Sequence, residues 1–285
     1  MGYRIFTDAT ADLSPELLAA MSGVTIIPMD ITLGDRGYTY GPEGDITVDD
    51  FYAGQRSGLF GSTSQINFST YSKYFGQALE AGEDVLYLCF SSGLSGTFQA
   101  VRLYAEDLRD QYPQRKIVCI DTIGEGLLVA EAARLQAAGM DMEELAQWVA
   151  DHRLESCHWF TVDTFEHLKH GGRVSAATAA VGSLLQIKPM LRLSETGELA
   201  VTEKPRGNRR AMEALLKRMR QGWTPQLSPT VIVGHGDCPD RAEELRRAVQ
   251  AEFPTAQVTI APIGPVIGAH TGPGMLALVF WGTER

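Results

Sequence analysis

The chain has 285 residues, of which 44% are hydrophobic and 21% charged, as expected for a globular protein of one large domain or two ordinary ones. A formal net charge of −10 argues against a general nucleic-acid binder. No apolar run approaches the roughly 18 residues of a membrane-spanning helix. The charge is uneven: residues 1–153 hold 10 Lys and Arg against 22 Asp and Glu, and residues 154–285 hold 15 against 13. That asymmetry suggests two domains, 1–153 and 154–285, with the second suited to meet something acidic. The N-terminus, MGYRIFTD, runs straight into a strand and lacks the charged and apolar regions of a signal peptide. Cys89, Cys119, Cys157 and Cys238 are far apart and form no CxxC, which fits free thiols in a reducing cytoplasm.

Residues 3–6 read as a first strand. Residues 7–12 make a polar turn at its C-terminal end, the edge where open α/β sheets bind ligands. Asp8 and Asp12 are there either as ligand contacts or as turn and capping residues. Ser14 caps a helix with Pro15 at its first position. Residues 25–28 and 31–33 are short strands, 38–44 a Gly/Tyr/Pro loop, and Thr47 to Asp50 a capping box. A hydroxyl-rich turn, Gly61-Ser62-Thr63-Ser64-Gln65, precedes a helix expected over about 69–81. Thr63 and Ser64 are candidate anion donors, although helix capping explains them equally well.

Residues 85–90 are six consecutive apolar residues, suited to a buried parallel strand. They lead into Ser91-Ser92-Gly93-Leu94-Ser95-Gly96-Thr97, then into a helix with Phe98, Val101, Ala105 and Leu108 on one face. A strand, a small-residue turn and a helix N-terminus make an anion site, because the first helical N–H groups lack partners. Gly93 and Gly96 would let the backbone approach a ligand, and Ser92, Ser95 and Thr97 would add hydroxyls. The alternative is an ordinary capped turn. The run also resembles the G-x-S-x-G elbow of hydrolases, with Thr97 where the last glycine belongs. Residues 117–121 are a further strand and 126–139 a further helix. This alternation predicts a parallel, doubly wound sheet, and the absence of GxGxxG leaves a dinucleotide site unsupported.

In the second half, residues 159–162 read as a strand, 163–170 as a helix and 174–185 as a small-residue helix. A strand over 187–193, a hairpin back over 199–202, a basic helix ending at Arg220, a strand over 230–233, a helix over 239–253 and a last strand over 275–281 follow. The expected fold is therefore two α/β domains, the second a mixed sheet with helices. Arg173 and Arg206 each adjoin glycine in a turn. His167 and His170 form an HxxH pair beside Glu166, but no third ligand follows at metal spacing, so no metal is expected. The segment IGPVIGAHTGPG (263–274) reads as an apolar loop holding a single histidine, His270, between tight turns.

These segments together resemble the DegV family, the fatty-acid-binding subunits of bacterial fatty acid kinase. The carriers are TDATADLSPEL (7–17), STSQ (62–65), SSGLSGT (91–97), LKHGGRVS (168–175), VGSLLQIKPML (181–191), EKPRGNRRAM (203–212) and IGPVIGAHTGPG (263–274). The resemblance implies a long-chain acyl group, of palmitate length, buried between two α/β domains. It implies that Thr63, Ser95 and His270 bind the carboxylate, with Ser64, Ser92, Gly96 and Thr97 in support. It assigns Arg173 and Arg206 to partner docking or acyl-phosphate handling. It implies no cofactor and no chemistry of the chain's own. A separate kinase subunit would phosphorylate the presented carboxylate with ATP and feed phospholipid synthesis, in the cytoplasm with transient contact to the membrane surface.

The chain departs from the family pattern twice. Gln65 is followed by Ile66-Asn67-Phe68 where proline is usual, and the loop over 121–126, Asp-Thr-Ile-Gly-Glu-Gly, is several residues shorter than usual. The shortened loop bears on pocket shape, ligand choice and partner contacts. Two other readings stand beside the carrier. One is a serine-dependent acyl hydrolase or transferase using Ser95 and His270, with Asp8, Asp12 or Asp237 to orient the histidine. The other is a phosphate-binding sugar or nucleotide protein, which fits the helix N-terminus but not the apolar final loop.

Overall fold

The computed structural model describes residues 2–21, 23–175 and 186–285. The helix expected over 174–185, and part of the 181–191 segment, lie outside the described residues. Those described form three sheets. The first is built from β1 (Tyr3–Asp8), β2 (Val24–Ile27), β6 (Asp84–Cys89) and β7 (Ile117–Asp121), in the order β2-β1-β6-β7 and parallel throughout. Alternate residues of its strands feed two different cores. Phe6, Val85, Tyr87 and Cys89 pack with residues of α3 (Phe68–Glu80) and α4 (Thr97–Gln111). Ile5, Leu86 and Leu88 pack with residues of α5 (Gly126–Ala137) and α6 (Met142–His152). Both faces are covered, which is why these strands read as continuous apolar runs. Ser14 caps α1 (Pro15–Ala20) by accepting from the Leu17 N–H, as its spacing predicts.

The second sheet is legible only in part: the strand over 31–33 is expected, and its two partners are not. It is antiparallel, β4-β3-β5, made of β3 (Met29–Leu33), β4 (Arg36–Tyr40) and β5 (Gly61–Thr63). Residues 38–40, read as loop, are strand, and Thr63 ends a strand in what was read as a turn. β4 is largely solvent-facing and β5 has three residues, so neither shows a strand's apolar alternation. Leu33 pairs with Arg36 across a two-residue turn in which Gly34 has φ 59°. The helix α2 (Val48–Arg56) buries Phe51 and Tyr52, and Thr47 caps it as expected.

The third sheet is mixed, in the order β10-β9-β8-β13-β11-β12. It comprises β8 (Ser156–Thr161), β9 (Met190–Leu193), β10 (Leu199–Glu203), β11 (Thr230–His235), β12 (Gln257–Pro262) and β13 (Leu276–Trp281). Only β11 and β12, joined through α9 (Pro239–Glu252), run parallel. The short α7 (Glu166–His170) follows β8, and α8 (Asn208–Gly222) is the basic helix. The segment read as a glycine/proline loop contains α10 (Pro265–Thr271), with Pro265 at its start. Its glycines hid it from a propensity reading. A boundary at 153/154, proposed from charge alone, would fall in the 3-10 turn Arg153–Glu155 before β8. No helix among the described residues is long and apolar enough to cross a membrane.

The first and third sheets are bound by a shared core. Ile232, Ala261 and Trp281 join the cluster of Ile5, Leu86 and Leu128, and Trp281 is fully buried, its ring 5.9 Å from that of Trp148 on α6. Trp281→Ala is expected to cost about 3–5 kcal/mol. Because the cluster spans both halves, urea unfolding followed by fluorescence and by circular dichroism should keep a single coincident transition. Two separated transitions would show that the halves unfold independently.

Candidate functional site

The loops after β1, β6 and β7 meet at the C-terminal edge of the parallel sheet and face α7, α10 and the third sheet. Between them lies a cavity with about 1240 Å³ of empty space, its mouth included. Most of its wall is apolar, from Met29, Phe90, Leu94 and Leu127 in the first half and Phe160, Leu168, Leu199, Ile232, Ile263, Val266 and Met275 in the second. Polar groups line it in two sets, and no hydrogen bond joins the two sets among the described residues.

The first set is Thr63, Ser95, His270 and Arg173, all lining the cavity. Thr63 is fixed opposite Ile31 by β-pairing. His270 stands on the last turn of α10, and its Nε2 lies 3.0 Å from Thr63 Oγ1, across the two halves. Its Nδ1 has no partner among the described residues and faces Gly171, where a Cβ would lie 2.1 Å away. A buried N–H without an acceptor costs more than a bare lone pair. We therefore assign the neutral tautomer with Nε2–H donating to Thr63, which leaves the Thr63 hydroxyl proton to point elsewhere. Burial, then the cations Arg173 and His170, push the His270 imidazole down to about 4. Arg173 is tied across the halves by Nε–H to the Leu94 carbonyl (3.0 Å) and by Nη1–H to the Gly171 carbonyl (2.6 Å). Ser95 Oγ lies 2.8 Å from Thr97 Oγ1 and accepts from the Thr97 N–H at 3.3 Å. Gly96, preceding α4, provides no side-chain cap.

Thr97, also expected, lines the cavity beside Ser95, and the remaining expected contacts lie elsewhere. Ser92 donates to Asp121 Oδ2 (2.5 Å), and Ser64 is exposed, its N–H given to the Asp30 carbonyl. Neither lines the cavity, and Arg206, exposed beside its bridge to Ile187, does not either. At Gly93 and Gly96 the space a side chain would take is already held by protein atoms. A Cβ at Gly93 would lie 2.6 Å from the Thr196 carbonyl oxygen, and one at Gly96 2.3 Å from Gln65 Nε2. Ser91, not singled out by sequence, seals the same contact by donating to the Gly197 carbonyl at 2.8 Å. His167 and His170 pack on the Phe60 ring, with centroids 4.9 and 4.6 Å away, and no metal-binding group of three such ligands occurs among the described residues.

The second polar set is Asp8, Thr10, Asp12, Glu125 and His158. Asp8 Oδ1 accepts from the Thr10 N–H (3.0 Å) and lies 2.5 Å from Thr10 Oγ1, and Asp8 Oδ2 accepts from Tyr87 Oη (2.7 Å). Thr10 Oγ1 also lies 2.6 Å from Glu125 Oε2. Burial raises the Asp8 carboxyl against these donors. Burial and the nearby Asp8 hold the Glu125 carboxyl well above the usual range, and burial does the same to Asp12 although the Gly264 N–H donates to it at 2.8 Å. Burial pushes His158 down to about 3. Glu125 and His158 carry no sequence signal, because neither the spacing of the 121–126 loop nor that of β8 marks them.

That loop is tightly held. Ile123 has φ 62°, a strained value for a β-branched residue. Its carbonyl accepts from Arg285 Nη2 (3.1 Å), and the Asp121 carbonyl accepts from Arg153 Nη1 (2.7 Å). Gly124 lies under the His158 ring, where a Cβ would sit 2.5 Å from Nε2.

No hydrolytic triad is assembled. Ser95 is bonded to Thr97 and His270 to Thr63, and no acid among the described residues meets His270 Nδ1. Asp8 is engaged by Thr10 and Tyr87, Asp12 by Gly264, and Asp237 by Arg56.

The profile of the DegV family, described as uncharacterised proteins, matches residues 3–282. A DegV domain-containing protein of Clostridium perfringens is 36% identical over 287 residues, covering 99% of this chain and 98% of its own. Among solved structures, a fatty-acid-binding DegV family protein from Thermus thermophilus has a TM-score of 0.85 at 29% identity, over 99% of this chain and 100% of the other. The Streptococcus pneumoniae Fatty Acid Kinase (Fak) B3 protein, loaded with linoleic acid, has a TM-score of 0.84 at 19% identity over 99% of both chains, a likeness of fold.

The lowered value of His270 makes a signed prediction. Unfolded, the imidazole titrates near 6.5. The stability that its neutral, buried form contributes is therefore complete above about pH 6.5 and is lost as the pH falls toward 4. In ligand-free protein, an NMR titration of His270 should show a midpoint near 4 with the proton on Nε2 above it. A midpoint between about 6 and 7 would mean that the ring is solvated and the Thr63 bond absent.

Proposed function

The chain belongs to the DegV family, and on that premise we propose that it binds a long-chain fatty acid in the cavity between its two halves. The observation that carries this reading is the Thr63–His270 pair, reaching across the halves at one end of an apolar cavity with Ser95 and Arg173 beside it. A carboxylate taken out of water needs charge-assisted donors. The Thr63 and Ser95 hydroxyls, the α4 N-terminus and the Arg173 guanidinium supply them. The carboxylate in turn favours protonation of His270, which its absence leaves neutral. The tail supplies affinity: about 14 methylenes at about 0.8 kcal/mol each offer roughly 11 kcal/mol before ordering costs. The Thermus relative binds fatty acid with the same fold at 29% identity.

In this reading the protein is a carrier that presents the carboxylate to a separate ATP-dependent kinase subunit, in the cytoplasm, for acyl-phosphate formation and phospholipid synthesis. The absence of an assembled nucleophile at Ser95 supports it, and so does the pneumococcal fatty acid kinase protein that shares the fold. Leu59 and Phe60, exposed beside the histidines of α7, offer an apolar rim for a partner or a membrane surface.

Protein purified without added lipid, denatured and extracted, should release one fatty acid per chain by mass spectrometry. Ser95→Ala should weaken palmitate binding about fivefold by removing one donor, with the melting temperature unchanged. An empty protein that also refuses added fatty acids would defeat the reading, and covalent labelling of Ser95 by a fluorophosphonate would restore the hydrolase.

A further inference from the structure

We propose that Leu127 sets the length of acyl chain the cavity accepts, by standing as the wall between it and a second hollow. The inference rests on the fatty-acid reading above and deepens it. The cavity passes over the C-terminal edge of the parallel sheet, from one face to the other. Beside the Thr63–His270 pair, Val266 and Ala269 of α10 pack in the core of Phe6 and Phe75. Leu127 belongs to the core on the opposite face, with Ile5 and Leu88. An acyl chain whose carboxylate is held by that pair crosses the edge to reach Leu127. The second hollow lies along α5 on the far face, between α1 and the segment leading into β11. Among the described residues, Leu127 alone borders both spaces.

Leu127, Ala130, Glu131 and Arg134 follow at helical spacing and all line the hollow, which extends over roughly 10 Å of helix. Leu17, Met21 and Leu227 add apolar wall. The buried polar groups there are already engaged: Glu131 Oε1 accepts from Arg134 Nε–H at 3.0 Å, and Ser228 Oγ–H donates to Thr230 Oγ1 at 3.0 Å. Methylenes entering the hollow would cover apolar wall without stripping an unpaired group. The turn that carries Leu127 is rigidly placed. Only residues 122–125 join it to β7, and the Leu128 N–H donates to the Glu125 carbonyl at 2.7 Å. Gly126 fits against the Ala11 carbonyl, where a Cβ would lie 3.0 Å from the oxygen. A chain end cannot push Leu127 aside without moving α5, so the buried side chain acts as a stop. Alanine there removes three carbon atoms and joins the two spaces, and an apolar void so made takes an apolar guest.

The test is binding of the saturated acids from dodecanoic to tetracosanoic by the whole protein and by two variants. In the native chain affinity should rise by up to about fourfold per methylene and then fall at a definite length. Leu127→Ala should move that fall to longer acids and tighten the first acid beyond the native limit about tenfold. Leu127→Ala combined with Ala130→Leu, which refills the hollow one turn on, should restore the native limit. The proposal is overturned if Leu127→Ala binds the acids with the native length profile, or if the double variant keeps the longer one. A measurement on the native chain decides the matter even if a variant fails to fold. The longest acid that binds well, carrying a terminal diazirine, should on irradiation label Leu127 or Ile232, which lines the cavity beside Gly126. Labelling confined to other walls of the cavity overturns the proposal. If no acid of the series binds, the fatty-acid reading itself falls, and this proposal with it.

Discussion

The seating of α10 against the first half sets everything else in this molecule. Besides the Thr63–His270 contact, three hydrogen bonds among the described residues hold it: the Gly264 N–H to Asp12 (2.8 Å), Tyr52 Oη–H to the Ile263 carbonyl (3.0 Å) and Gln55 Nε2–H to the Gly268 carbonyl (3.0 Å). Glycine makes the approach close enough. A Cβ at Gly61 would lie 3.0 Å from Ala269 Cβ, and one at Gly268 2.7 Å from Tyr52 Oη. This seating delivers His270 to Thr63 at hydrogen-bonding distance and closes the cavity over the edge of the parallel sheet. A rigid helix placed by main-chain bonds positions an imidazole better than a loop could. The same seating explains why Tyr52, fully buried, keeps its hydroxyl: the Ile263 carbonyl is its partner.

The sequence was most readable where burial on two faces enforces composition. Residues 85–90 could hardly be anything but a central strand, and β6 lies between β1 and β7. Caps were readable because their chemistry is local, as at Ser14 and Thr47. Close backbone contact defeated the reading. The glycines of SSGLSGT were taken as room for a ligand, yet Gly93 makes room for the 196–198 hairpin. The glycines of 263–274 were taken as loop, yet they let α10 dock. A glycine announces that something comes close and not what comes close. Helix α6 gave ordinary signals, an Asp141 cap and buried Leu145 and Val149, that went unread.

For the site, Thr63, Ser95, His270 and Arg173 were legible through family motifs and converge on one cavity. Ser64, Ser92 and Arg206 belong to the same motifs and do not. The motif marks a segment, whereas strand pairing and competing partners decide which of its side chains turn inward. Asp121 draws the Ser92 hydroxyl away, and the β3 pairing turns Thr63 rather than Ser64 toward the cavity. Glu125 and His158 carry no motif, and only the folded chain brings the 121–126 loop against β8.

Under the fatty-acid reading, the two polar sets favour one orientation of an amphiphile over the other. One set brings a guanidinium, a helix N-terminus and an imidazole. The other brings the carboxyls of Asp8, Asp12 and Glu125, each raised by burial. A carboxylate placed at the acid end would meet a like charge in a medium of low dielectric, where repulsion is several times stronger than in water. Placed at the His270 end it meets Arg173. The chain as a whole is acidic, with a net charge of −10, and so does not draw anions in general. Discrimination comes from local arrangement: a cation tied to Leu94 and Gly171 on the side facing Thr63.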